Sequence, residues 1–203
     1  MTRCLSRADS GQTLPIYIWL TGILLFAALA FFAFAQAASA RNGAQSAADA
    51  AALAAAQESR DELAEELGLS IGEGDGWLDW LTGVPPTDAG AARAAADVLA
   101  ADNDAQVKDL TSTVVNGSPG YKVSIRTNYT VGDSVIPGTE TQHAKADATA
   151  VIKPRCDMDP SSDPEKVVEF DCDGGESFEI DPEDFEPEDL PDASVLFSVH
   201  LAD

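Results

Sequence analysis

The chain has 203 residues and sets 12 Lys and Arg against 35 Asp and Glu, for a formal net charge of -23. That length holds one anchor and one or two small domains. Charge of this size and sign repels phosphate backbones and excludes nucleic acid as a partner. It also keeps the soluble part away from anionic lipid, apart from the few arginines beside the anchor.

Arg3 and Arg7 precede a segment, residues 14–38, that carries no charged side chain, and residues 16–38 form one apolar stretch. At ~1.5 Å per residue that stretch spans roughly 34 Å as a helix, slightly more than a hydrocarbon core of about 30 Å. Tyr17 and Trp19 stand near its start, where amphipathic aromatics favour the interface. Arg41 follows it, but the chain beyond is acidic, so the positive-inside bias predicts a cytoplasmic N-terminus and an external C-terminus. Ala38-Ser39-Ala40 is also an A-x-A cleavage pattern behind a basic leader, so a cleaved secretory signal is the alternative to a retained anchor. The apolar stretch is longer than the usual core of such a signal, which favours the anchor. The bulk of the chain is exported on either reading.

Residues 44–67 are alanine-rich, and alanine has the highest helix propensity, so one helix of roughly 50 residues is expected to run from the membrane outward. Gly43 is the only nearby breaker, Gly68 suits a C′ position, and Leu69 is placed to clasp Leu63 in a Schellman ending. Ala40, Ala44, Ala48 and Ala52 repeat at small-xxx-small spacing, which suits packing against helices of partner proteins. Composition bias alone is the competing explanation of the alanines. A loop over residues 72–86 carries Trp77 and Trp80, read as core plugs or interface contacts. A second helix is expected from an N-cap at Thr87 or Asp88 to about Ala101, burying Ala95, Val98 and Leu99.

From Gln106 the period changes to two. Tyr121, Val123, Ile125, Tyr129 and Val131 alternate with polar residues as a half-buried strand. The turn residues 116–120 pair it with a strand over residues 109–115. Residues 139–152 alternate again, placing Ala144, Ala146, Ala148, Ala150 and Ile152 on a small-residue face fit to lie under a helix. Shorter strands are expected over residues 167–172, 178–180 and 195–199, with a Pro- and acid-rich loop before the last. Residues 157–203 hold 17 acidic residues and one basic residue, Lys166.

Cys4 lies before the apolar run, and Cys156 and Cys172 lie beyond it, as fits a chain crossing from a reducing to an oxidising compartment. Cys156 and Cys172 bracket a segment too poor in apolar residues to order itself. A disulfide there would stabilise the fold by ~3 kcal/mol in the chain-entropy picture, with three free thiols as the alternative reading. No catalytic pattern stands out. His143 and His200 have no Cys or His at metal-ligand spacing, and His143 reads as a solvated strand residue. No nucleophile elbow or phosphate-cradling glycine loop is present, so no cofactor is expected. The acids of residues 171–176 fall short of a calcium loop, and loose Ca²⁺ uptake or a cell-wall ligand remains the alternative use of the acidic end.

The tract Arg7-Ala8-Asp9-Ser10-Gly11-Gln12-Thr13-Leu14-Pro15-Ile16-Tyr17 enters the apolar helix, which leads to Arg41-Asn42-Gly43-Ala44-Gln45-Ser46-Ala47-Ala48-Asp49-Ala50-Ala51. Over roughly residues 7–57 this resembles the TadE/TadG-like pilus-assembly proteins of tight-adherence (Flp-type) systems, particularly their high-GC actinobacterial branch. The resemblance implies a pilin-like membrane helix and a non-catalytic outer domain that works with other pilus proteins. It also implies a possible processing point at Gly11 and Gln12. The fifth residue after Gly11 is Ile16 rather than the usual glutamate, so an uncleaved TadG-like anchor fits better.

The expected fold is α+β: a transmembrane helix continuing into an Ala-rich helix, then a small antiparallel sheet with a second helix and a disulfide-closed C-terminal section. The expected divisions are a cytoplasmic N-terminus (1–13), the membrane helix (14–40), a helical region (41–103), a β region (104–155) and the acidic section (156–203).

Overall fold

The computed structural model describes residues 13–73, 76–78, 89–132, 141–159 and 162–202. One helix, α1 (Thr13–Ser70), runs unbroken from the apolar segment through the alanine tract. Gly43 does not interrupt it. A Cβ at that position would run into the Tyr129 hydroxyl, so the glycine admits the ring against the helix.

α1 ends later than the Gly68 ending predicts. Leu67 and Gly68 are both buried and hold the helix on the core, whereas Leu69 is exposed and makes no clasp with Leu63. The chain leaves the helix through Gly72, whose φ of +83° is open to glycine at little cost. The Ser70 hydroxyl donates to the Leu67 carbonyl at 2.9 Å, supplying one of the last turn's orphan acceptors.

The second helix, α2 (Gly90–Asp102), packs along α1. The expected N-caps Thr87 and Asp88 lie outside the described residues. The expected buried face is corrected: Ala92, Ala96 and Ala100 are buried, Ala95 and Leu99 are half-buried, and Val98 is exposed. Two alanine faces let helix backbones approach closely, and a Val or Leu at the seam would hold them apart.

Four strands form an antiparallel sheet in the order β1-β2-β3-β7: β1 (Ala105–Val115), β2 (Ser118–Thr130), β3 (His143–Pro154) and β7 (Phe197–Leu201). Asn116 and Gly117, with φ of 51° and 86°, make a two-residue hairpin turn. Both central residues of a type I′ turn need positive φ, which is why Asn-Gly serves there. Ser118, Pro119 and Gly120 therefore belong to β2 rather than to the turn.

α1 covers β2 and β3. Ala148, Ala150 and Ile152 are buried beneath it, and Ala144 and Ala146 are half-buried against the same core. The final strand starts two residues later than the alternation suggests. A short helical turn, α3 (Ala193–Leu196), precedes it and is held by Val195 N–H donating to the Asp192 carbonyl at 2.8 Å.

A second antiparallel sheet consists of β4 (Cys156–Met158), β5 (Val168–Cys172) and β6 (Glu176–Ile180). The Cys156–Cys172 disulfide joins directly opposed residues of β4 and β5. Phe170 and Phe178, also opposed, stack with ring centroids 5.7 Å apart. The buried face of this sheet, Val168, Phe170, Cys172 and Ile180, joins the main core.

Candidate functional site: the apolar helix and its junction with the outer domain

α1 changes character at one point. No residue from Thr13 to Ser39 is buried. Large apolar side chains stand out on every side of that half, with Trp19 74%, Phe26 74%, Phe31 77% and Phe34 76% exposed. Its apolar window has a mean hydropathy of 2.4, and among the described residues it is the one helix long and apolar enough to cross a membrane. Each such side chain would lose roughly 1.5–3 kcal/mol of transfer energy if left in water, so this half needs a lipid or protein surround.

From Ala40 onward the helix is covered. Ala44, Ala47, Ala48, Ala51, Ala52, Ala55 and Ala56 have no accessible surface, followed by Leu63 and Leu67. The four alanines expected to meet partner proteins, Ala40, Ala44, Ala48 and Ala52, are thus packed within their own chain. This corrects the partner-helix reading of that face. α2 and the sheet occupy the ground a partner helix would need.

The junction is built from β2 and β3. Tyr129 abuts Gly43, and Gly132 lies beside the Gln36 side chain. The His143 Nδ1–H donates to the carbonyls of Thr127 at 2.8 Å and Tyr129 at 3.1 Å. His143 is therefore half-buried and structural rather than solvated. Gln45 donates to the Asp147 carbonyl at 3.3 Å and to the Asp49 carboxylate at 2.8 Å. Deeper in, Ser59 and Tyr121 share a buried hydroxyl–hydroxyl bond of 2.7 Å. Contacts between β2 and α1 thus extend from Gly43 to Ser59 and lock the sheet to the helix.

Trp77 is a core residue. It is fully buried, and its Nε1–H donates to the Pro164 carbonyl at 3.2 Å, tying the segment after α1 to the disulfide loop. Trp80, Gly11 and Gln12 lie outside the described residues. In the acidic section, Lys166 bonds Asp163 at 2.6 Å, which pulls the Asp163 carboxyl below its ordinary range and raises the lysine. Among the described residues no group of three or more His, Cys, Asp or Glu is arranged to hold a metal ion. His200 is exposed on β7.

With this geometry in view, residues 11–58 match the model of the putative Flp pilus-assembly TadE/G-like family. The resemblance carried by the Gly-Gln entry and the alanine tract therefore holds over that segment, which contains the exposed half of α1 and the first part of its buried half. No curated protein and no solved structure matches the chain.

Proposed function

We propose that this chain is a single-pass, non-catalytic pilus-assembly or pilin-like membrane protein of a tight-adherence type. The observation that carries this reading is the switch at Ala40 inside the family-matched segment. Bulky apolar side chains are exposed before it, and alanines are buried under the chain's own domain after it. In this reading residues 1–13 are cytoplasmic, residues 14–40 span the membrane, and the remainder forms the outer domain.

Partner pilus proteins meet the exposed half of α1 within the bilayer or a filament, since the alanine half is already covered. Arg3 and Arg7 before the span and the acidic domain after it support this orientation. Fusion of a periplasm-dependent reporter after Asp203 should give activity, and a cytoplasm-only reporter at the same point should give none. Cytoplasmic activity there would overturn the orientation. Co-purification from membranes with other pilus-assembly proteins tests the function. Failure to recover any of them under gentle detergent would count against it.

A further inference from the structure

The two sheets carry opposite charge, and each contains like charges set directly across from one another. On the outer face of the first sheet Arg126 of β2 opposes Lys145 of β3, with Lys122 four residues along β2 and Lys153 farther along β3, and Asp109 and Asp147, on either side of Ser124, share that face. Among the described residues none of these four cations belongs to an ion pair. On the outer face of the second sheet Glu169 opposes Glu179 and Asp157 opposes Asp171, all four exposed. Like charges directly opposite destabilise a sheet. Neither opposed pair stabilises its sheet, and on the first sheet the four cations outnumber Asp109 and Asp147, the acids beside them.

We infer that these two faces bind each other between copies of this chain, the cationic face of one receiving the acidic sheet of the next. The charge complementarity selects the occupant: the acidic section holds 17 acids against one base, and in a chain of net charge -23 the outer face of the first sheet gathers four of the 12 Lys and Arg. Docking would neutralise both sets of unfavourable pairs at once.

The contact is head-to-tail, because the surfaces differ and lie at different heights on α1. Arg126 lies on β2 between Tyr121, which bonds Ser59, and Tyr129, which abuts Gly43. The acidic section lies at the far end of α1, with Leu190 beside Gly68 and Pro182 beside Gly72. At ~1.5 Å per helical residue Arg126 and that end of α1 are offset by roughly 30 Å. A heterologous contact with an axial shift propagates into an open array and does not close as a two-fold dimer. Copies anchored at one depth in a bilayer are out of register for it, and removal into detergent or into a filament lifts that restraint.

This rests on the membrane-protein reading only in supplying the filament context, and self-association can fail while co-purification with pilus partners persists. The test uses the full chain in a mild non-ionic detergent, followed by sedimentation. Self-association should weaken by roughly tenfold or more as NaCl rises from about 50 to about 500 mM, because screening shortens the reach of exposed charges. Arg126→Glu with Lys145→Glu should abolish it, as should Glu169→Lys with Glu179→Lys. An equimolar mixture of the two variants should restore it, because each contact between one variant and the other again pairs opposite charges. Arg126→Gln with Lys145→Gln, which leaves no like-charge pair, should weaken association without reversing it and serves if a reversed variant does not fold. Association that ignores salt and all three variants would overturn the inference. So would a wild-type protein that stays monomeric while binding anionic vesicles through the same cations, which would assign the face to lipid.

Discussion

The two halves of α1 reverse the usual arrangement of a globular protein. Residues 13–39 expose phenylalanine, leucine and tryptophan, whereas residues 40–68 bury alanine after alanine. A bulky side chain contributes to folding through the area it removes from water, and in the first half that area is offered to an environment outside the chain. In the second half the alanines bury little area each but permit close approach of α2 and the sheet. Stability there comes from density of packing, and dense packing tolerates little change in volume. One helix thus has two sets of rules, and the boundary lies at Ala40.

The largest expected effect is in the buried half. Ala48→Leu with Ala52→Leu introduces six methylene- or methyl-sized groups where no space remains, and overpacking costs typically 1–3 kcal/mol per site. The melting temperature of the outer domain should fall by about 2–4 °C per kcal/mol, so a drop approaching or exceeding about 10 °C is expected by circular dichroism. A domain that keeps its melting point would mean the alanine face is open, and the contrast between the halves would fail.

Next in size is the disulfide, which holds the acidic sheet on the domain that α1 supports. Replacing both Cys156 and Cys172 by serine should cost ~3 kcal/mol by the loop-closure argument. The loss should be confined to the second sheet, where hydrogen exchange at β4 to β6 should rise before that of β1 to β3. Uniform acceleration across both sheets would show that the second sheet is part of one cooperative unit.

A smaller change is expected at the polar contact inside the buried half. Tyr121→Phe leaves the Ser59 hydroxyl without its 2.7 Å partner in a fully buried site. Stranding a buried hydroxyl costs about 1–3 kcal/mol, less here if Ser59 turns to a carbonyl of its own helix. Chemical denaturation should show a lower midpoint with an unchanged slope.

The smallest effect belongs to the exposed half. Phe26→Ala with Phe31→Ala should leave the outer domain's melting temperature within about 1 °C, since neither side chain touches its core. The same change should reduce retention in the membrane fraction or in partner complexes. A destabilised outer domain would place those rings in contact with it and contradict the boundary at Ala40.

Much of this was legible in the residues. A segment without charge and long enough to span a bilayer has few other uses, and the period-two alternation of residues 121–131 permits little but a half-buried strand. Asn116-Gly117 announces its turn through the backbone angles it alone tolerates cheaply, and two cysteines beyond the apolar segment, in an otherwise thiol-free domain, announce their bridge. The alanine tract announced a helix but not its surroundings. Alanine stands on nearly every side of residues 44–56, so there is no polar stripe to mark the outside and no bulky stripe to mark the inside. Only the folded chain decides that the tract lies under α2 and the sheet. The same logic selects Ala92, Ala96 and Ala100 over Val98 and Leu99 on α2, because the seam is chosen by how closely two backbones can approach rather than by hydrophobicity. Side-chain chemistry along the chain set the elements, the extent of the apolar segment and the disulfide. Distance between elements that are remote in sequence set which of the many small faces became the core.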